Sequence, residues 1–238
     1  MKKKILILGS KGQLGSYIKK KLFDLKFSTL SLNSINGNLL DEKLIENIFL
    51  KYNPHIVINT AAITNVDDCE IKKKETYKVN ANSLKFLSKC CLKNDSLLIH
   101  FSTDYIFSSK KIYSFSEKNS AKPINYYGKS KLIGEKNITN SGCNYLILRI
   151  SWLFSKNKKN FLNFFLKNIN NNKKIKITRN YGSPTSVRLV TKILKLFLKK
   201  KDIKFKFKYN MFGNQDAATF RGNSIDYDLE DETEKEAI

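Results

Sequence analysis

Two histidines, four cysteines and one tryptophan are all that the 238-residue sequence holds of three versatile side chains. Cys69, Cys90, Cys91 and Cys143 lack the CxxC spacing of a metal knuckle, and only His55 and His100 could join them as soft ligands. No metal site is expected, and free thiols in a reducing cytosol are. Arginine is scarcer still, four residues against 40 lysines. The formal net charge of +23 would point to a nucleic-acid partner, but recognition of phosphates and base edges favours the guanidinium fork. Here the lysines are scattered along an Asn- and Ile-rich chain, so nucleic acid is not an expected partner. Long apolar runs are also missing, which excludes a membrane-spanning helix. MKKKILIL at the start imitates a secretory signal, but the run is short and Gly9 breaks it. No membrane is expected and a cytoplasmic location is. Acidic side chains crowd only one place: Asp226, Asp228, Glu230, Asp231, Glu232, Glu234 and Glu236 stand against Lys235 alone. That pattern predicts a disordered acidic tail over 226–238.

What is present is an alternation of short apolar runs with helical spacings. Lys4 to Leu8 reads as a buried parallel strand. It enters Gly9-Ser10-Lys11-Gly12-Gln13-Leu14-Gly15, after which Leu14, Ile18, Leu22 and Leu25 recur at helical intervals. A glycine turn between a strand and a helix lets backbone approach a pyrophosphate while the helix N-terminus attracts the anion. Phe27 to Leu32 is the second strand. It ends on Asn33 and Ser34 rather than on the acidic residue that would reserve the adenosine ribose for NAD, and Lys11 either meets a 2′-phosphate or is one more exposed lysine. The expected cofactor is NADPH, with NADH as the alternative.

A helix over 41–52 and a strand at Ile56 to Asn59 follow. The small residues Thr60, Ala61, Ala62, Ile63 and Thr64 then leave room at the edge where open α/β sheets bind ligands, or simply pack against the first helix. Lys74 to Leu92 predicts a long helix with Val79, Leu84, Leu87 and Cys91 inward. Leu97 to Phe101 is the fourth strand, followed by Ser102, Thr103 and Asp104, a hydroxyl site for a substrate oxygen or an ordinary cap. Beyond Pro123 a helix carries Tyr127 and Lys131 on one face. An ammonium beside a phenol is expected to lower the phenol's pKa, making the pair a candidate acid and its tuner; taken alone, the spacing also fits a solvated helix face. Tyr145 to Ile150 is the next strand, ending at Ser151-Trp152, with Trp152 either core or a platform for an apolar ligand face. The fold class is α/β, a Rossmann-like doubly wound parallel sheet.

In this order, GSKGQLG at 9–15, NTAAITNVDDCE at 59–70, HFSTDYIF at 100–107, YYGKSKLIGE at 126–135, LRISWLF at 148–154 and YGSPT at 181–185 carry a resemblance. The chain resembles the extended short-chain dehydrogenase/reductases, and within them the dTDP-4-dehydrorhamnose reductase family, over most of its length to about Phe220. The resemblance implies an NAD(P)-binding domain over 1–178, a partial substrate lobe over 179–225, and reduction of the 4-keto group of dTDP-4-dehydro-β-L-rhamnose in deoxysugar-nucleotide biosynthesis. It implies Tyr127 as proton donor, Lys131 as its tuner and holder of the nicotinamide ribose, and Thr103 as a hydrogen-bond partner of the same keto oxygen. Gly9, Gly12, Gln13, Leu14 and Gly15 would surround the pyrophosphate, Asn38 and Leu39 the adenine, and Ala62, Ile63 and Thr64 the cofactor. Asp104 and Trp152 would contact the dTDP-sugar. Similar dehydratases carry an acidic residue directly after their Thr-Asp pair; Tyr105 stands here, which implies simple carbonyl reduction.

The sequence departs from the family pattern at Arg179 and Asn180, where an acidic-Gln pair is usual, and again after Phe220, where the acidic tail replaces the rest of the sugar-nucleotide lobe. Two explanations are a truncated or frameshifted gene and a minimal chain that completes its site as a homodimer. A second function class is a nucleotide-binding regulatory subunit resembling that of methionine adenosyltransferase. A third is a basic RNA-binding protein, which the dispersed lysines disfavour.

Overall fold

The computed structural model describes residues 2–22, 27–107, 115, 119–156, 160–170, 183–199 and 208–212. The expected sites at Leu25, Arg179, Asn180 and Tyr181, the expected tail, and most of the expected lobe lie outside these residues. Six parallel strands form one sheet: β1 (Lys4–Leu8), β2 (Ser28–Leu32), β3 (Ile56–Asn59), β4 (Leu97–Thr103), β5 (Tyr145–Ile150) and β8 (Lys208–Phe212), in the order β2-β1-β3-β4-β5-β8. Two two-residue strands, β6 (Leu153–Phe154) and β7 (Thr185–Ser186), pair beside it. The order reverses between β1 and β3, the topological switch point at which such sheets bind ligands.

Continuous apolar runs make β1, β3 and β4 because helices cover both faces, and alternation within each strand divides the core in two. One face places Ile5, Ile7, Ile56, Ile58, Leu97 and Ile99 against α1 (Gln13–Leu22) and α8 (Val187–Lys199). These helices turn Leu14, Ile18 and Leu22, and Val190, Leu194 and Leu198, inward at intervals of four. The other face buries Leu6, Leu8, Val57 and Leu98 under α2 (Glu42–Tyr52), α5 (Ser83–Lys93) and α6 (Tyr126–Thr139). The α2 helix starts where the Asp41 carboxylate accepts the Leu44 N–H at 3.0 Å and ends on left-handed Asn53.

The helix expected from Lys74 is interrupted. Past the short α3 (Val66–Ile71), α4 (Lys73–Tyr77) passes into a π turn at Lys78–Asn82 before α5 begins. The wider turn shifts the helical phase, so Val79 is only half-buried and Asn80 takes the inward place, 1% exposed. The remaining helix, α7 (Phe161–Asn170), precedes β7. All four cysteines are buried free thiols. No helix among the described residues is long and apolar enough to cross a membrane.

Candidate active site

The carboxyl ends of β1, β3, β4 and β5 deliver Gly9, Thr60, Thr103 and Ser151 to one edge of the sheet. Gly9 has φ +79°, and a Cβ on Gly15 would lie 2.4 Å from the Gly9 carbonyl oxygen and 2.6 Å from Thr60 Oγ1. Only glycine lets α1 begin this close to the ends of β1 and β3. Thr60 Oγ1 fastens the junction by donating to the Leu8 carbonyl at 2.7 Å. Leu14 is buried, so only its backbone can face the crevice, and the Gln13 side chain donates to the Leu153 carbonyl at 3.2 Å. Lys11 and Asn38 are exposed, whereas Leu39 belongs to the core. Ala62 and Ile63 are half-buried and Thr64 is exposed. Asn80 clamps the backbone of Ile63 from both sides, accepting its N–H at 2.9 Å and donating to its carbonyl at 2.8 Å.

Strand β4 runs two residues beyond Phe101, so Thr103 is its last residue, 4% exposed. The chain turns there because Thr103 Oγ1 accepts the Tyr105 N–H at 3.2 Å, capping a 3-10 turn at Asp104–Ile106. The same hydroxyl donates to Asp104 Oδ1 at 3.1 Å, and Ser151 Oγ donates to Oδ2 at 2.6 Å. Burial raises the Asp104 carboxyl above its ordinary value, and the Ser151 and Thr103 hydrogen bonds offset part of that. After Ser151, Trp152 is half-buried with φ +40°. A bulky residue in the left-handed region is strained, a cost that recurs where a side chain is held for a purpose.

Helix α6 brings the remaining groups. Asn125 caps it, accepting the Gly128 N–H at 2.7 Å, and a Cβ on Gly128 would lie 2.1 Å from the Tyr105 carbonyl oxygen. That contact seats the helix on the 3-10 turn and brings the Tyr127 phenol beside the Thr103 hydroxyl. The Tyr105 and Tyr127 rings meet edge to face, 5.7 Å between centroids. One turn on, Lys131 is 1% exposed, its Nζ donating to the Phe101 carbonyl at 2.7 Å and lying 3.0 Å from His100 Nε2. A second turn on, Glu135 and Arg149 form a buried two-pronged ion pair, at 2.6 Å and 3.0 Å.

Thus Tyr127, Lys131, Thr103 and Asp104 converge, with Trp152 on the same edge. The expected tuning does not hold. Tyr127 is half-buried, and desolvation of its phenol pushes it well above its ordinary value, the Thr103 hydroxyl countering part of the shift. Burial draws Lys131 down to about 8, and Glu135 counters some of that. Burial is the largest cause of both shifts, and Lys131 is engaged with β4 rather than with the phenol. Three groups escaped sequence reasoning: Asn59, Asn80 and His100. Asn59 and His100 are polar residues inside otherwise apolar strand segments, IVIN and LLIHF, and that interruption was the available signal.

A family model described as the RmlD substrate binding domain matches residues 2–221. A dTDP-4-dehydrorhamnose reductase of Aggregatibacter actinomycetemcomitans is 32% identical over 165 residues, 69% of this chain and 56% of the relative. The chain thus spans little more than half of that relative's length. Among solved structures, a dTDP-4-dehydrorhamnose reductase of Clostridium acetobutylicum ATCC 824 superposes with a TM-score of 0.81 at 27% identity, covering 88% of this chain and 73% of the other. One from Bacillus anthracis str. Ames, in complex with NADP, gives a TM-score of 0.81 at 24% identity over 90% of this chain and 74% of the other, a likeness of fold.

Proposed function

The chain belongs to the RmlD substrate binding domain family, and from that premise we propose that it serves the NADPH-dependent reduction of dTDP-4-dehydro-β-L-rhamnose to dTDP-β-L-rhamnose, with NADH as the lesser cofactor. The observation that carries the reading is the phenol–hydroxyl pair of Tyr127 and Thr103 at the sheet edge, with Lys131 buried one turn behind.

The residues present fit a dinucleotide. Gly9 and Gly15 set the start of α1 flush against the switch point, where first-turn amides and the helix dipole favour a pyrophosphate, and Gly12, Gln13 and Leu14 offer backbone there. Asn38 and Leu39 are assigned to the adenine, and Ala62, Ile63 and Thr64 to the rest of the cofactor's length. The bound cofactor supplies a hydride to the keto carbon. Thr103 orients the keto oxygen, and Tyr127 gives it a proton as the carbonyl electron pair moves onto it. A phenol raised by burial stays protonated at neutral pH, so the acid is loaded. Its conjugate base needs a cation nearby, and Lys131 is the buried candidate. Lys131 is assigned to the nicotinamide ribose, its Nζ keeping a hydrogen beyond the one given to the Phe101 carbonyl. Asp104 and Trp152 are assigned to the sugar nucleotide. The regulatory-subunit alternative finds no support among the relatives above.

The test is NADPH consumption on addition of the keto sugar nucleotide, with sedimentation under the same conditions to reveal a homodimer. Wild-type protein turns over, and Tyr127→Phe binds NADPH but loses roughly 10²- to 10⁴-fold in turnover. Near-normal turnover of Tyr127→Phe refutes the assignment.

A further inference from the structure

Lys131 is buried against a group that the reaction scheme above does not use. Strands β3 and β4 hold Asn59 and His100 as register partners on the face that α6 covers, both essentially inaccessible. Asn59 Oδ1 accepts the Ala61 N–H at 3.0 Å, which turns the Asn59 amide nitrogen toward His100 Nδ1, 3.3 Å away. An amide NH₂ only donates, so Nδ1 must accept. Burial keeps the His100 ring neutral. A neutral ring has one hydrogen, which must then sit on Nε2, 3.0 Å from Lys131 Nζ. An unprotonated amine can accept that hydrogen while still donating to the Phe101 carbonyl. An ammonium cannot: it meets Nε2–H donor to donor.

We propose that Asn59 and His100 form a tautomer lock on Lys131, in which the Ala61 N–H fixes the Asn59 amide, the amide fixes the His100 hydrogen on Nε2, and that hydrogen favours the neutral amine. Protonating Lys131 requires the ring hydrogen to move to Nδ1 and the Asn59 amide to turn over, which sets the amide NH₂ against the Ala61 N–H and loses that hydrogen bond. The lock runs from the segment that follows β3 to the lysine behind Tyr127. Asn59 and His100 are positioning residues, acting through Lys131. The other groups facing this lysine do not provide the switch. Glu135 on α6 is committed to Arg149 of β5, Asn80 of the π turn is committed to Ile63 and Ser130, and Tyr127 of α6 is turned to Thr103, beyond which lies Asp104. The lock's bearing on catalysis rests on the reductase reading; the lock itself does not.

The test is a direct titration of Lys131 in the full chain, following its side-chain ¹³Cε resonance, assigned by its loss in Lys131→Met. Asn59→Leu keeps the size, adds no charge and removes the amide donor that holds Nδ1 as an acceptor, so the ring hydrogen can move to Nδ1 and Nε2 becomes free to accept from an ammonium. His100→Gln can turn its amide oxygen to Nζ directly. Each is expected to raise the titration midpoint by on the order of one pH unit, a tenfold gain in proton affinity. Whichever variant folds is decisive: an unshifted or lowered midpoint in a folded variant overturns the lock. The titration needs no substrate. A protein without reductase activity whose Lys131 midpoint still rises refutes the reductase reading alone, and an active protein with an unshifted midpoint refutes the lock alone.

Discussion

The burial of Lys131 makes stability depend on pH with a sign opposite to that of an ordinary paired lysine. Its folded value is about 8 against an ordinary 10.5. Between those values the unfolded chain holds more protons than the folded one, so stability rises with pH across that window. Below pH 8 the full penalty of carrying a buried ammonium applies. A difference of 10.5 − 8 = 2.5 corresponds to about 3 kcal/mol, at roughly 1.4 kcal/mol per pH unit. The assay is urea unfolding of wild type and Lys131→Met at steps from pH 7 to pH 10.5. Other groups titrate in this range: Cys90, for one, is pushed up to about 11 by burial and lowers stability as pH rises past its ordinary 9. The difference between the two proteins cancels such terms. Lys131→Met should be the more stable at pH 7 by up to about 3 kcal/mol, less the loss of the hydrogen bond to Phe101, at about 1 kcal/mol, and the gap should close by pH 10.5. Parallel profiles for the two proteins would refute the burial argument.

Three other perturbations probe the frame around the site. Glu135→Gln leaves the Arg149 guanidinium buried without its carboxylate, which should cost roughly 3–5 kcal/mol and lower the melting midpoint by about 10 °C; a change under about 1 kcal/mol would remove the pair from the structural account. Gly128→Ala puts a methyl group on the Tyr105 carbonyl, so it should separate α6 from the 3-10 turn and reduce turnover while NADPH affinity stays near wild type, as measured by fluorescence titration. Thr103→Val removes the hydroxyl that caps the 3-10 turn and meets Tyr127; turnover should fall by more than tenfold, whereas Thr103→Ser should keep most of it.

Strands β1 and β3 were legible to the residue, because a strand buried on both faces must be continuously apolar and glycine or proline marks its bounds. The switch-point edge followed from them, and with it the neighbourhood of Gly9, Thr60, Thr103 and Ser151. Strand β4 was misjudged at its end, since Ser102 and Thr103 read as loop although they complete the pairing with Arg149 and Ile150. The π turn at Lys78–Asn82 was not legible, because the inserted residue breaks the periodicity by which a buried face is recognised, and Asn80 was missed with it. The electrostatics were not legible either. Sequence spacing places Lys131 beside Tyr127, but whether attraction or desolvation prevails depends on how completely α6 is pressed onto β4.

That pressing is itself written along one face of α6, and it explains why the site and the fold cannot be varied separately. Gly128 lets the helix touch the Tyr105 carbonyl, and Gly134 lets it touch the Asn80 carbonyl of the π turn, where an added Cβ would lie 2.3 Å away. Between these two contacts the helix lies as close to the sheet as its backbone allows. Lys131 is therefore held against Phe101 and His100, and Glu135 against Arg149. Tyr127, Lys131, the clamp on Ile63 and the buried ion pair all depend on the same helix-to-sheet spacing. A substitution that lifts α6 at either glycine admits water to Lys131. By relieving its desolvation, that change would raise its proton affinity and uncouple Tyr127 from Thr103 together. The geometry of the candidate site follows from close packing at two glycines rather than from the Tyr-Lys spacing alone.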